Sequence, residues 1–247
     1  MSDVTSTAPQ PLSLFSRIIG VITSPRATME NVVAAPRPAG VLLVAALLIS
    51  IGATLPQFTE AGQQASLDMQ VQGMERFGVT VTPEMYATLE ERARNPYLKL
   101  LNAAGTLIFM PVAALFFAVI YWGVFNTILG GTAAFKQVLA IVTHSQIIGA
   151  LGILAAAPVQ LMQGKMTMTG PFTLGALVPM ADPGGTLTMF LGSISVFSLW
   201  GFVVTAIGLS VLFKRKTLNI AIGLITAYLL VMFGIISLFG SFMGHGA

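Results

Sequence analysis

The most polar group inside an apolar stretch of this sequence is His144-Ser145-Gln146. Polar side chains are costly in hydrocarbon and usually face the interior of a helix bundle, so a functional role is the first hypothesis to weigh. The alternatives are hydrogen bonding to neighbouring helices, a place near the cytoplasmic interface, or a proton relay or ligand site. A relay normally needs a second titratable group at similar depth. None of the 12 Lys and Arg or 9 Asp and Glu residues falls inside the spans predicted below, which favours the structural role.

Catalytic and metal chemistry find little support among these side chains. Nucleophilic catalysis needs a base oriented towards a serine, whereas His144 and Ser145 are neighbours in sequence and point about 100° apart on a helix. His144 and His245 are the only histidines, stand on different elements and belong to no His-Glu-x-x-His pattern. There is no cysteine and no glycine-rich phosphate motif. The sequence therefore predicts no catalytic residue, no metal site and no cofactor site.

Small residues spaced four apart are a stronger signal, because they let helix backbones approach closely in a membrane. Three such pairs occur in the apolar stretches: Ser145 with Gly149, Gly152 with Ala156, and Gly201 with Thr205. The chain has 25 glycines, so some pairs arise by chance. We treat these residues as candidate helix-packing positions, not as a chemical site.

The composition indicates where these stretches lie. Hydrophobic residues make up 55% of the 247 residues, charged residues only 9%, and the mean hydropathy is +0.85. A soluble domain carries about 25% charged residues, so this chain cannot cover a water-facing surface. The net charge of +3 comes mostly from basic residues beside apolar runs. It therefore reflects membrane topology and does not indicate nucleic-acid binding.

The longest charge-free run, residues 186–213, is followed at once by Lys214-Arg215-Lys216. A bilayer core of ~30 Å needs roughly 20 apolar residues in a helix, so this run predicts a transmembrane helix with a cytoplasmic stop. The basic triplet is a topology determinant that could also contact anionic lipid headgroups. Similar reasoning predicts an all-α polytopic protein whose five spans cover about 39–55, 100–129, 138–162, 186–213 and 218–242.

The remaining segments are predicted to lie outside the bilayer. Residues 1–38 comprise a polar tail to residue 11 and two short amphipathic helices at the cytoplasmic surface. In the first, Leu14, Phe15, Ile18, Ile19 and Ile22 share a face, and Arg17 is off it. Residues 57–99 hold six of the nine acidic residues and predict an extracytoplasmic helical hairpin. In the later loop 163–185, the section 172–178 is apolar enough to dip into the membrane.

The distribution of basic residues predicts an orientation with the N-terminus inside and the C-terminus outside. This orientation puts seven basic residues inside against five outside, and the outer ones lie mostly in a longer segment, where the positive-inside rule weakens. The inner residues are Arg17, Arg26, Arg37, Lys136, Lys214, Arg215 and Lys216; the outer ones are Arg76, Arg92, Arg94, Lys99 and Lys165.

Three segments in order resemble the Yip domain family, the five-span Ypt/Rab-interacting membrane proteins, in its bacterial form. They are RIIGVITSPRATMENV (17–32), ILGGTAAFKQVLAIVTHS (128–145) and SVFSLWGFVVTAIGLSV (195–211). The order of the three carries the resemblance, since each alone is a weak apolar pattern. Members of the family often have an acidic residue where this chain has Ser195, ahead of Phe197 and Trp200.

The resemblance implies an integral protein of the bacterial cytoplasmic membrane without catalytic activity, and the same orientation. It implies an accessory or assembly role, in some relatives beside an export-type ABC permease and its periplasmic adaptor. The short N-terminal region argues against the GTPase partners of eukaryotic relatives. The alternative is a transporter or channel for a neutral or lipid-like solute. Its polar path would draw on Asn102, Asn126, His144, Gln146, Ser195 and Ser198.

Overall fold

The structure, a computed structural model, describes residues 12–76, 78–163, 170–178 and 185–243. The predicted tail, residues 1–11, lies outside these ranges. Within them the chain is helical, with one isolated β-bridge and no strand. The helices are α1 (Leu14–Thr23), α2 (Pro25–Ala34), α3 (Pro38–Thr54), α4 (Glu60–Arg76), α5 (Pro83–Arg94), α6 (Pro96–Gly123), α7 (Phe135–Gln163), α8 (Thr186–Ser193), α9 (Val196–Phe213) and α10 (Thr217–Met243).

Five helical segments are long and apolar enough to cross a membrane: Pro38–Phe58, Pro96–Ile128, Phe135–Gln163, Val196–Phe213 and Thr217–Leu238. They confirm the predicted all-α, five-span fold. The second of them is α6 continued by a π-helical turn, Val124–Ile128, and Gly130 leaves the helix at a φ of 71° that favours glycine.

The span formed by α7 is the centre of the bundle. In its most apolar window 56% of the residues are buried, against 11% for the span that contains α6. Ile141 and Ile148 of α7 are fully buried beside Val204 and Leu209 of α9. Helix α3 packs along α7 through Val41, which clusters with Ile147. The fold thus surrounds α7 with protein and leaves α6 mostly exposed.

The two N-terminal helices each pack one side against the bundle. Val21 of α1 and Met29 and Val32 of α2 are fully buried in the main core. Leu14, Phe15 and Ile19 of the predicted apolar face are 44%, 70% and 42% exposed, so this face stays open to lipid. Arg17, expected off that face, is instead 2% exposed. Periodicity cannot show that a helix packs on two sides. We call α1 and α2 the N-terminal pair.

The predicted fourth span is not one helix, which corrects the expectation of a continuous 186–213 element. It divides into α8 and α9 at Ile194 and Ser195. There the backbone pairs with the segment 170–178: Leu174 N–H donates to Ile194 O at 2.9 Å, and Val196 N–H donates to Phe172 O at 3.0 Å. The paired segment satisfies backbone groups that a helix would otherwise bond internally, so an apolar sequence tolerates the break.

The acidic segment contains the helices α4 and α5, and Gln64 Nε2 of α4 donates to the Tyr86 hydroxyl of α5 at 3.2 Å. Leu67 is 1% exposed, and Thr82 Oγ1 accepts a hydrogen bond from Met85 N–H at 3.3 Å, capping α5. The backbone N–H of Glu84 and then the Thr82 hydroxyl lower the pKa of the Glu84 carboxyl. The side of the membrane on which the hairpin stands stays a prediction.

Candidate functional site

The polar triplet of α7 points in three directions. His144 is fully buried, and its Nδ1 lies 2.6 Å from Ala140 O. Ser145 is 6% exposed, and its hydroxyl donates to Ile141 O at 3.0 Å. Gln146 is partly buried, and its Oε1 has no hydrogen-bond partner among the described residues. The triplet therefore does not form one site. The Ser145 hydroxyl bonds within its own helix, and Nε2 of the His144 ring has no hydrogen-bond partner among the described residues.

Several predicted packing residues do lie where α7 and α9 meet. A Cβ placed on Gly201 would be 4.0 Å from Ser145 O, and one on Gly152 would be 2.8 Å from Phe197 Cβ. The Thr205 hydroxyl donates to Gly201 O at 2.9 Å. These glycines therefore allow the two helices to approach closely. The Trp200 ring lies on the same interface, 6.4 Å from the ring of Phe197.

The other predicted packing positions do not bring backbones together. Gly149 is exposed, and a Cβ there would meet nothing within 4 Å. The Ser145–Gly149 pair is therefore not a close-packing motif within this chain. Ala156 is only partly buried. Spacing alone could not distinguish these positions from Gly152 and Gly201, because it does not say which face of α7 meets α9.

Gly208 marks a close junction of three helices that the sequence did not reveal. A Cβ there would lie 2.5 Å from Ile141 Cγ2 and 3.1 Å from Met29 Sδ. It is therefore the point where α2, α7 and α9 come together. The residues four positions from Gly208 are Val204 and Leu212, and neither is small. The spacing of small residues therefore does not single out Gly208.

Ser195 is the N-cap of α9. Its Oγ accepts a hydrogen bond from Phe197 N–H at 3.2 Å, and its backbone bridges to Thr173. Serine and aspartate are both favoured caps. An acidic residue at this position would accept the same bond, so the departure from the family pattern leaves the capping role intact.

Five of the seven predicted inner basic residues stand within four residues of two contacts that join separate helices, and we call this region the basic end: Arg37, Lys136, Lys214, Arg215 and Lys216. Arg17 belongs to it through its electrostatic interaction with Arg37. The links that define it are Arg215 Nη2 donating to Leu129 O at 2.8 Å and Gln137 Nε2 donating to Val33 O at 3.1 Å. Lys214 ends α9 with a φ of 52°, a left-handed conformation uncommon for lysine. Lys214, Arg215 and Lys216 are exposed, so they are free to face headgroups.

Arg17 is the most unusual side chain at the basic end. Its Nε donates to Leu12 O at 3.0 Å, while its Nη2 is buried without a hydrogen-bond acceptor among the described residues. Burial and, second, the Arg37 guanidinium lower the pKa of Arg17. The His144 ring also lies within electrostatic range of Arg17. Sequence patterns gave no sign of this arrangement, since Arg17 sits at a position that helical periodicity assigns to solvent.

Three of the six residues of the hypothetical transport path are bonded locally or exposed: Asn126, Ser195 and Asn102. Asn126 is tied to Ala133, donating to its O at 2.8 Å and accepting from its N–H at 3.0 Å, and thereby closes the α6–α7 turn. Ser195 caps α9, and Asn102 is exposed on α6. Two grooves, of about 590 Å³ between α1 and α2 and about 670 Å³ between α4 and α5, are lined by other residues. Among the described residues, no three His, Asp or Glu side chains are grouped to hold a metal ion.

Comparison with known proteins gives one family and one curated relative. The Yip1 domain matches residues 19–239. The chain is 30% identical over 239 residues to the membrane protein YknW of Bacillus subtilis (strain 168), an alignment that covers 96% of this chain and 92% of YknW. No solved structure matches.

Proposed function

Because the chain belongs to the Yip1 domain family of membrane proteins, we propose that this multi-pass protein is a non-enzymatic scaffold or assembly factor. Its place is the bacterial cytoplasmic membrane, with the N-terminus inside and the C-terminus outside. Its partner is a larger membrane complex, and the candidate is an export-type ABC permease with its periplasmic adaptor.

The observation that carries the proposal is the local bonding of hydroxyl groups within the spans. Thr143, Ser145, Thr205 and Ser210 each donate to a carbonyl three or four residues earlier in their own helix, at 2.9–3.0 Å. The donor hydrogens of these four hydroxyls are therefore satisfied within their own helices and are not available to a solute. Such a bundle suits a protein that works through its outer surface.

The surface best suited to a partner within the membrane is the exposed side of α6. Ile108 and Phe109 are 70% and 61% exposed, and Phe116 is 60% exposed, whereas Ala114 and Ala118 on the opposite side are fully buried. Lipid alone can cover such a face, so the test must distinguish lipid from protein. A photo-crosslinking residue placed at Phe109 or Phe116 in living cells makes that distinction.

We expect a crosslinker at Phe109 or Phe116 to capture a discrete polypeptide. The same group at Ala118 should capture none, because this side chain is enclosed by the protein's own helices. Identification of the captured band by mass spectrometry, beside the proteins that copurify in mild detergent, names the complex. Capture of lipid alone at both positions, with a monomer that shows saturable solute flux in vesicles, would contradict the scaffold and favour a transporter.

A further inference from the structure

We propose that the protein binds a phosphate group, carried by an anionic lipid or free in solution, between Arg17 of α1 and the N-terminus of α3. The site lies at the basic end. Its ligand completes the hydrogen bonding of two buried side chains, Arg17 and His144.

The guanidinium of Arg17 is buried without an opposite charge among the described residues. The side chain is 2% exposed, and its Nη2 has no acceptor among the described residues. Among the described residues the ion pairs are Arg26–Glu30 and Arg94–Glu90. Neither of them includes Arg17. Burying a charge without a partner is strongly unfavourable, and proteins normally pair it with an opposite charge.

Helix α3 starts without a side-chain cap. Its N-cap residue, Arg37, makes no side-chain cap, and Pro38 occupies the first turn, so the amides of that turn remain available. Leu14, one helical turn before Arg17, would lie 3.3 Å from a Cβ on Gly40, which places α1 beside this helix end. Arg37 also lies within electrostatic range of Arg17. Two guanidinium groups and the positive end of a helix together attract an oxyanion.

His144 has a free ring nitrogen and stands near the same site, since Ile147, one helical turn after it, packs with Ile18, the residue after Arg17. Nδ1 faces the carbonyl of Ala140, and a carbonyl only accepts, so Nδ1 carries the proton in this contact. In the neutral ring, Nε2 is then an acceptor, and it has no partner among the described residues. A bare oxyanion would be repelled by that lone pair. A ligand with both a phosphate and a neighbouring hydroxyl, such as a phosphoglycerol headgroup or hydrogen phosphate, fits both groups.

The test is lipid binding by the purified full-length protein, measured by native mass spectrometry with phosphatidylglycerol. Arg17→Gln should weaken binding about tenfold or more, the change expected on losing one hydrogen bond to a charged group. Arg26→Gln is the matched control, since it removes the same charge from an exposed residue of the neighbouring helix and should bind as the wild type does. Equal binding by both variants would overturn the proposal.

A second comparison tests the hydroxyl and the source of the phosphate. Wild type should bind phosphatidylglycerol more tightly than phosphatidylmethanol, which keeps the phosphate but lacks the hydroxyl, and His144→Phe should abolish this difference. Inorganic phosphate that displaces the lipid from wild type but not from Arg17→Gln would identify the free ion as a ligand of the same site. Equal binding of both lipids by wild type and His144→Phe would overturn the part assigned to His144.

The competing partner for Arg17 is an acidic group of the chain itself. Asp3 is the only acidic residue before α1, and it lies outside the described residues. If Asp3→Asn weakens folding as Arg17→Gln does, and neither variant changes lipid binding, the carboxylate is the partner and the proposal is wrong. Should Arg17→Gln fail to fold, Arg37→Gln alters an exposed residue of the same site. It should then reduce phosphatidylglycerol binding while Arg26→Gln does not.

Discussion

Gly208 stands where α2, α7 and α9 meet, so its replacement by alanine measures how firmly the N-terminal pair is held in the bundle. The added Cβ would lie 2.5 Å from Ile141 Cγ2, 3.0 Å from Ile141 Cγ1 and 3.1 Å from Met29 Sδ. Ile141 and Met29 are fully buried. Ile141 is branched at Cβ and cannot turn one methyl away without moving the other. Relief therefore requires the helices to separate.

The expected cost follows from these contacts. Overpacking a well-filled core costs about 1–3 kcal/mol, and three close contacts put this site near the upper value. Alanine gains up to about 1 kcal/mol over glycine in a helix, which leaves a net loss of about 2 kcal/mol in the free energy of unfolding. For a chain of this size that loss lowers the melting temperature by roughly 4–8 °C. Tryptophan fluorescence during heating in one fixed detergent measures it.

Gly223→Ala is the matched control. Gly223 lies in α10, and a Cβ there would meet nothing within 4 Å, so this variant should melt at or slightly above the wild-type temperature. In the double variant Gly208→Ala with Ile141→Ala, the loss should be smaller than the sum of the two single losses, because the clash is removed. If the melting temperature of Gly208→Ala equals that of Gly223→Ala, the three-helix junction is not packed as described.

Three further experiments test other parts of the molecule. Tyr228→Phe removes the hydrogen bond from the Tyr228 hydroxyl to Ser193 O and should cost about 0.5–1.5 kcal/mol in a denaturant titration. Ser195→Ala should destabilise α9 by about 1 kcal/mol, whereas Ser195→Asp should not, because aspartate also caps; equal losses would argue against capping. The chain has no cysteine, so Glu91→Cys and Lys216→Cys supply single labelling sites. A membrane-impermeant thiol reagent added to intact spheroplasts should label the first and spare the second, and the reverse would invert the orientation.

The sequence was sufficient for the spans because their signal is length and hydropathy, which do not depend on neighbours. Helices α3, α7 and α10 begin and end within about three residues of the predicted bounds. The break before α9 was not predictable in this way. Ile194 and Ser195 lie in a charge-free run, and only pairing with a distant segment, through Phe172 and Leu174, makes the interruption stable.

The candidate site was harder to predict than the spans, because it depends on contacts between distant segments. His144 is buried within its span, and Arg17, which lies within electrostatic range of it, is more than one hundred residues earlier and on a helix expected at the surface. Helical periodicity compares residues within one element. It therefore assigned Arg17 to water, where an isolated amphipathic helix would put it.

The position of the N-terminal pair also constrains how the chain is assembled. Helices α7 and α9 bury Val21, Met29 and Val32 of the N-terminal pair. Val204 of α9 follows Val32 by about 170 residues. At a synthesis rate of 5–20 residues per second, that interval lasts roughly 10–35 s. During this time the N-terminal pair can pack only on α3 and, once it is made, on α7, and its contacts with α9 form when the C-terminal half arrives. A ribosome halted before α9 should therefore leave the N-terminal pair open to protease.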